Sequence, residues 1–308
     1  MANITSEMVK TLRETTSAGM LDCKKALEAT SGNMEEAVDW LRKKGLASAA
    51  KKASRVAAEG LVSVLVKDNK GTIVEVNSET DFVAKNDLFQ ELVADAAIVS
   101  LMENANLEAM KAFHCFKAGK PFGERLSDLV AKIGENMTLR RAKCVEVSDG
   151  VISSYIHNAV VPNLGKIGVL VALESKADKV KLAELGKKIA MHIAASNPLF
   201  LKISDVDAES LKREKAIFKE QALASGKPEN IIEKMVDGRI RKYYDEVVLE
   251  EQAYIMDPDR KVSKVIEDAS MELSQPIILK EFSLFKLGEG LQKKEENFAD
   301  EVAAQLGK

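Results

Sequence analysis

The chain has 308 residues, with 45 Lys and Arg against 48 Asp and Glu, a formal net charge of −3. That near balance argues against a uniformly basic nucleic-acid binder. At 46% hydrophobic and 30% charged, the chain can build a core and keep a charged surface, and its length suggests about two domains.

The first residues, MANITSEMVK, have neither an apolar signal core nor the Arg- and Ser-rich character of a transit segment. Ile4, Met8 and Leu12 repeat at helical spacing and predict a short helix, broken by TSAGM at 16–20. LDCKKALEAT predicts a second helix that ends near Ser31 and Gly32. Asn33, with Glu36 in capping-box spacing, opens a third whose apolar face is Met34, Ala37, Val38 and Leu41. Gly45 reads as its stop. Trp40, the only tryptophan, is expected to help close this bundle. From Arg42 to Arg55 lie six basic residues and no acids. A solvated linker helix and an RNA-contacting patch both fit the charge, but the patch would lack interleaved aromatics and glycines.

At Gly60 the period changes. LVSVLVK, DNKG and TIVEVN read as a β-hairpin, followed by the polar stretch NSETDFVAKND at 77–87. Asp87 with Gln90 then marks a long helix carrying Leu88, Leu92, Ala96 and Val99, and a second amphipathic helix covers about 123–134. Strands follow near 138–147, 151–157 and 166–174, then a helix at 178–195 that stops at Asn197-Pro198. GLVSVLV at 60–66 and GKIGVLV at 165–171 echo one another. A duplicated αβ unit and two generic buried strands explain that equally well.

In residues 208–251, 19 of 44 side chains are charged. Two helical patterns flank Ser225-Gly226-Lys227-Pro228 and share sparse apolar positions, among them Leu211, Ile217, Phe218, Ile232 and Ile240. This predicts two antiparallel helices touching along a narrow seam, an arm that protrudes or pairs with something. A short helix near 261–270 precedes a returning strand with Ile277, Leu279, Phe282 and Leu284. NFADEVAAQLG predicts a final amphipathic helix with Phe298, Val302 and Leu306 on one face.

Catalytic signals are missing. There is no GxxxxGK[ST], GxGxxG or HExxH, and His114, His157 and His192 lack ligand-like spacing. His192, in IAMHIAAS, reads as a satisfied core histidine, and His157 as a turn residue or a surface contact. Cys23, Cys115 and Cys144 are odd in number, far apart and without a CxxC, which suits free thiols in a reducing compartment. IGVLVAL at 167–173 is the longest aliphatic run and is too short to span a membrane. A cytoplasmic binding protein is expected, with no metal and no cofactor.

Phe82 stands out because the chain has only ten Phe, four Tyr and one Trp. With Val83 it could turn inward beneath the hairpin, the commoner fate of an aromatic. Alternatively it could point outward as an anchor, contributing about 1.5–3 kcal/mol when buried in a partner. The pattern leaves both open.

EVNSETDFVAK at 75–85 resembles the central signature of bacterial elongation factor Ts, and LRETTSAGMLDCKKAL at 12–27 its N-terminal signature. HIAASNP at 192–198, SGKPENIIEKMVDGR at 225–239 and LGEG at 287–290 follow in family order. One departure is HNAVVPNLGKIG, longer than in some members. The resemblance implies an α+β fold. It would comprise a three-helix bundle like ubiquitin-associated domains, a core of two αβ subdomains with antiparallel sheets, a projecting helical hairpin and a C-terminal helix. The implied boundaries are 1–56 for bundle and linker, 57–146 for the first subdomain, and 147–204 with 252–288 for the second. The arm would span 205–251 and the C-terminal module 289–308. The resemblance further implies a guanine-nucleotide exchange factor without covalent chemistry that binds elongation factor Tu, GDP-bound and nucleotide-free. Thr80, Asp81, Phe82 and Val83 would disturb magnesium at the nucleotide site, with Leu12, Met20, Leu21 and His157 as further contacts. Dimerisation through 208–251 is a further expectation, with no membrane or nucleic-acid partner. A general adaptor or chaperone, an RNA binder using 42–55, and an enzyme with a hidden site are the rival readings.

Overall fold

The computed structural model describes residues 4–16, 18–115, 119–223 and 228–291. Helices α1 (Ser6–Thr16), α2 (Met20–Ala29) and α3 (Met34–Lys52) form the N-terminal bundle. Leu12, Cys23, Ala26, Leu27 and Ala37 are fully buried at its centre, with Trp40 and Leu41 packed against them. Asn33 caps α3, its side-chain oxygen accepting the Glu35 and Glu36 backbone N–H groups at 3.1 and 3.2 Å. Gly45 does not end the helix as expected. A Cβ there would lie 3.8 Å from the Ala131 and Asp128 side chains, so the residue sits at a helix–helix contact. That contact keeps it helical despite its low propensity.

The first sheet unit begins with hairpin β1 (Glu59–Lys67) and β2 (Lys70–Ser78), paired from Glu59↔Ser78 to Lys67↔Lys70. The turn runs through Asp68, at φ +54°. Then come α4 (Asp81–Ala84), α5 (Asp87–Met102), α6 (Leu107–Ala112), the small strands β3 (His114–Cys115) and β4 (Lys120–Pro121), α7 (Phe122–Ile133) and β5 (Met137–Glu146). The cap of α5 is Asn86, one residue before the Asp87 expected. Its side chain accepts the Leu88 and Phe89 N–H groups, and Asp87 is already helical. Helix α6, also capped by an asparagine, Asn106, was not anticipated. It is too short for its periodicity to show.

The second unit contains β6 (Gly150–His157), β7 (Leu164–Gly165), β8 (Ile167–Glu174), α8 (Lys179–Ser196), arm helices α9 (Ala208–Leu223) and α10 (Glu229–Val247), hairpin β9 (Ala253–Tyr254) and β10 (Asp257–Lys261), α11 (Val262–Glu272) and β11 (Ile278–Lys286). The sheets run β5-β2-β1-β7 and β11-β8-β6, all pairs antiparallel. Each unit is therefore a hairpin, a helical excursion, and a strand that returns beside the hairpin's second member. The duplication is visible in topology, but the sequence echo aligned the wrong strands. β1 corresponds to β6, not β8. Gly60 and Gly150 open these two strands at φ +125° and +151°, and at each a Cβ would collide with a carbonyl oxygen of the facing strand, Val76 or Leu173. Only glycine suits either position.

Alternation along the strands sorts side chains into three layers of core. Leu61 and Val74 face α5 and α7. Val169, Val171 and Leu173 face α8 and α11. Val62, Val64, Ile73, Leu170, Ala172 and Phe285 fill the space where the two sheets face each other. In β11, Leu279 and Phe282 share the outer face although their spacing is odd. A register shift between Leu279 and Glu281 restores the parity.

Glu75 is fully buried at the edge of the inter-sheet layer. It accepts hydrogen bonds from Arg140 Nη1 (2.8 Å), Arg141 Nε (2.5 Å) and the Gly288 N–H (2.8 Å). Arg141 also donates to the Lys286 carbonyl and stacks over Phe285 at 4.2 Å. This cluster ties the end of β11 to the first sheet. Burial alone would raise the Glu75 pKa, but the Gly288 N–H and the two guanidinium groups outweigh it and hold the carboxyl below its ordinary value.

Among the described residues no helix is long and apolar enough to cross a membrane. The expected C-terminal helix at 297–307 and most of the break at 225–228 lie outside the described residues.

Candidate functional site: an exposed aromatic at the hairpin-to-helix connection

Strand β2 ends at Ser78, and Thr80 continues extended at φ −122°, ψ 159° before the single turn α4. Successive residues of a helix point about 100° apart. Val83 and Ala84 are 3% and 2% exposed and pack into the first core. With those two facing inward, Phe82 faces away, and it is 76% exposed. The inward alternative for the ring is thereby excluded, while it holds for Val83, so Val83 has almost no surface with which to touch a partner. Asp81 is exposed beside the ring, and Lys85 Nζ lies 5.8 Å from its centroid, within cation–π range.

The turn is pinned at both ends. At its start, Thr80 donates its backbone N–H to Glu135 Oε2 at 2.9 Å and its hydroxyl to Glu135 Oε1 at 2.8 Å. Ser78 Oγ donates to the Thr80 carbonyl at 2.9 Å. At its end, the Lys85 and Asn86 N–H groups return to the Phe82 and Val83 carbonyls at 3.1 and 2.9 Å. Gln90 Nε2 donates to the Ala84 carbonyl at 3.0 Å. The neighbouring Glu79 carboxylate accepts the Asn136 N–H and pairs with Arg55 at 3.5 Å.

The other residues singled out are spread over separate elements. Met20 and Leu21, at the start of α2, are 61% and 73% exposed, open to contact. Leu12, expected among the contacts, is instead fully buried in the bundle core. It is the inward residue of the stripe that made α1 recognisable. His157 ends β6 and is exposed, its Nδ1 3.1 Å from the Tyr155 hydroxyl. His192 is buried, with Nε2 2.9 Å from Gln252 Oε1 and Nδ1 accepting the Ile255 N–H at 3.2 Å. Burial lowers its pKa, against the opposing effect of the Gln252 bond. In the basic run, Arg42, Lys44 and Arg55 pair with Glu124, Asp22 and Glu79, so half of its cations are already engaged within the chain.

Glu135 and Glu79 were not singled out from sequence, and Gln90 was read only as the capping partner of Asp87. The pairing of Ser78 with Met137 in the β2–β5 ladder brings 79–80 opposite 135–136 only in three dimensions, and the one local cue is Gly134, which ends α7 at φ +94°.

These features define a class: an α+β protein of two linked sheet units that carries a rigidly mounted, solvent-facing aromatic and a helical hairpin. Residues 79–289 match the family described as Elongation factor TS. Over 307 residues the chain is 57% identical to the Elongation factor Ts of Paramagnetospirillum magneticum, covering all of this chain and 98% of that one. It is 56% identical to that of Rhodospirillum rubrum over 309 residues and 55% to that of Rhodospirillum centenum over 307, with full coverage of both chains in each case. The chain belongs to the elongation factor Ts family, and its role is that of a translation elongation factor.

Proposed function

We propose that this protein binds elongation factor Tu carrying GDP and accelerates GDP release, without covalent chemistry, by inserting Phe82 and Asp81 beside the bound nucleotide. The observation that carries this reading is the exposure of Phe82 on a turn anchored at both ends. A large apolar side chain held in water contributes about 1.5–3 kcal/mol once a partner buries it, and a fixed mount removes the cost of ordering it. Bound GDP depends on backbone amides and on a Mg²⁺ whose charge offsets the phosphates. A ring and a carboxylate entering that site loosen the cation and its supporting geometry. By linkage, whatever factor the exchange protein takes from GDP affinity, GDP takes from the affinity for the exchange protein. GTP then binds and the two proteins separate.

In this reading Thr80 is the root of the wedge and Val83 its inward ballast. The bundle (1–56) adds contacts through Met20 and Leu21, and His157 adds one from the second unit. We assign subdomain boundaries at 57–146 and at 147–204 with 252–288, and a C-terminal module at 289–308. The arm (205–251) is assigned to self-pairing, supported by Leu223, Ile231 and Ile217, which are exposed, Ile217 contrary to its expected place in the seam. Neither a membrane nor a nucleic acid is required, and the cytoplasm, where translation occurs, is the assigned location.

The test is release of a fluorescent GDP analogue from elongation factor Tu, followed by stopped flow. Phe82→Ala is expected to slow release at least about tenfold, the equivalent of roughly 1.4 kcal/mol of lost coupling, while its melting temperature stays near wild type. Full exchange activity in Phe82→Ala removes the ring from the mechanism.

A further inference from the structure

We infer that Glu135 is a positioning residue for the wedge, holding α4 in the orientation in which Phe82 faces a partner; this rests on the exchange reading above. A single helical turn is not stable on its own, and α4 has only the residues Asp81–Ala84. Its C-terminal side is fixed by near neighbours, Asn86 and Gln90. Its N-terminal side is fixed by a residue 55 positions away in the chain. Both oxygens of the Glu135 carboxylate are engaged, and both donors belong to Thr80. Glu79 reciprocates by accepting the Asn136 N–H, and Asn136 Nδ2 donates to the Arg55 carbonyl at 2.7 Å. The β2–β5 ladder ends at Ser78↔Met137, and these side chains continue the pairing by one further step. That step turns the backbone into α4.

Thr80 presents two donors, and each Glu135 oxygen accepts one of them. Glu135→Ala removes both acceptors. Glu135→Gln is a weaker change, because its oxygen can accept the Thr80 N–H while its NH₂ donates to the hydroxyl oxygen. Thr80→Val keeps the volume and removes the hydroxyl, whereas Thr80→Ser retains it. Hydrogen exchange on the full-length protein reads the clamp without any partner. In Glu135→Ala, the Lys85 and Asn86 amides are expected to exchange about tenfold faster, from the loss of the Glu135 hydrogen bonds, with β1 and β2 unchanged. In the stopped-flow assay, the release rate at saturating factor should fall about tenfold while the half-saturating concentration moves less than about twofold. In amide exchange Thr80→Val should follow Glu135→Ala in direction, and Thr80→Ser should keep wild-type protection of Lys85 and Asn86.

Unchanged protection of Lys85 and Asn86 in Glu135→Ala overturns the clamp. So does amide exchange at Lys85 and Asn86 as fast in Thr80→Ser as in Thr80→Val. Faster amide exchange with undiminished release, in a protein where Phe82→Ala is impaired, overturns the positioning role but leaves the wedge. Undiminished release in Phe82→Ala overturns the wedge itself and this role with it, whatever the amides report.

Discussion

The two sheet units place the same connection, from the second hairpin strand to the following helix, in different hands. In the second unit β8 ends at Glu174 and α8 begins at Lys179. The link 175–178 contains a buried Ser175 and Ala177 and the cap Asp178. In the first unit β2 ends at Ser78 and α5 begins at Asp87. The link 79–86 is longer, holds its own helical turn, and turns a phenylalanine to solvent. The frame is shared and the added residues carry the difference. A rigid duplicated scaffold leaves one copy of a connection free to specialise, as binding residues on loops between fixed elements commonly do.

The largest contrast to break is inside the sheets. The register of each hairpin makes Glu75 and Ala172 equivalent, yet one is a buried carboxylate and the other part of the apolar inter-sheet layer. Making the first like the second, by Glu75→Ala, is expected to cost about 3 kcal/mol or more, because Arg140, Arg141 and the Gly288 N–H lose their acceptor. Chemical denaturation measures it. The lowered Glu75 pKa adds a pH signature. The stabilisation is fully present above the unfolded carboxyl value near 4.3 and is lost as pH falls through the folded one. Glu75→Gln should therefore flatten the acid limb of the stability curve, and an unchanged acid limb contradicts the assignment.

The glycine pair sharpens the equivalence instead. Gly60→Ala and Gly150→Ala each force a side chain into a left-handed strand position against a carbonyl, at an expected cost of about 3 kcal/mol apiece. A large loss at one and none at the other would argue against treating β1 and β6 as counterparts. The smallest effects are at the caps. Asn86→Ala and Asp178→Ala should each remove about 1 kcal/mol of stability. Only Asn86→Ala should also slow nucleotide release, since only its helix follows the wedge.

Much of this was readable in advance. The hairpin at 59–78, the helices after 120 and 178, and the bundle helices followed from apolar period and from Asn33 and Asn197, whose short side chain or left-handed tolerance marks a helix end. Gly45 misled because a glycine's local preference for ending a helix is weaker than a packed contact with another helix. Asn86 and Asp87 were confused because both can cap, and the choice depends on which backbone residue is already helical. Of the site, the signature segment was legible, but not its mount. Glu135 acts through an antiparallel register that no local pattern encodes.

The order of side chains along the chain was enough to determine the longer strands and helices, that Phe82 is an isolated aromatic in polar company, and that the protein is of the elongation factor Ts family. Period, capping chemistry and turn residues act over a few positions, so a linear reading captures them. Whether Phe82 faces in or out, which strand of the second unit answers to β1, and which carboxylate holds Thr80 were decided in three dimensions. Each depends on residues far apart in the chain competing for the same buried face or the same hydrogen-bond donor.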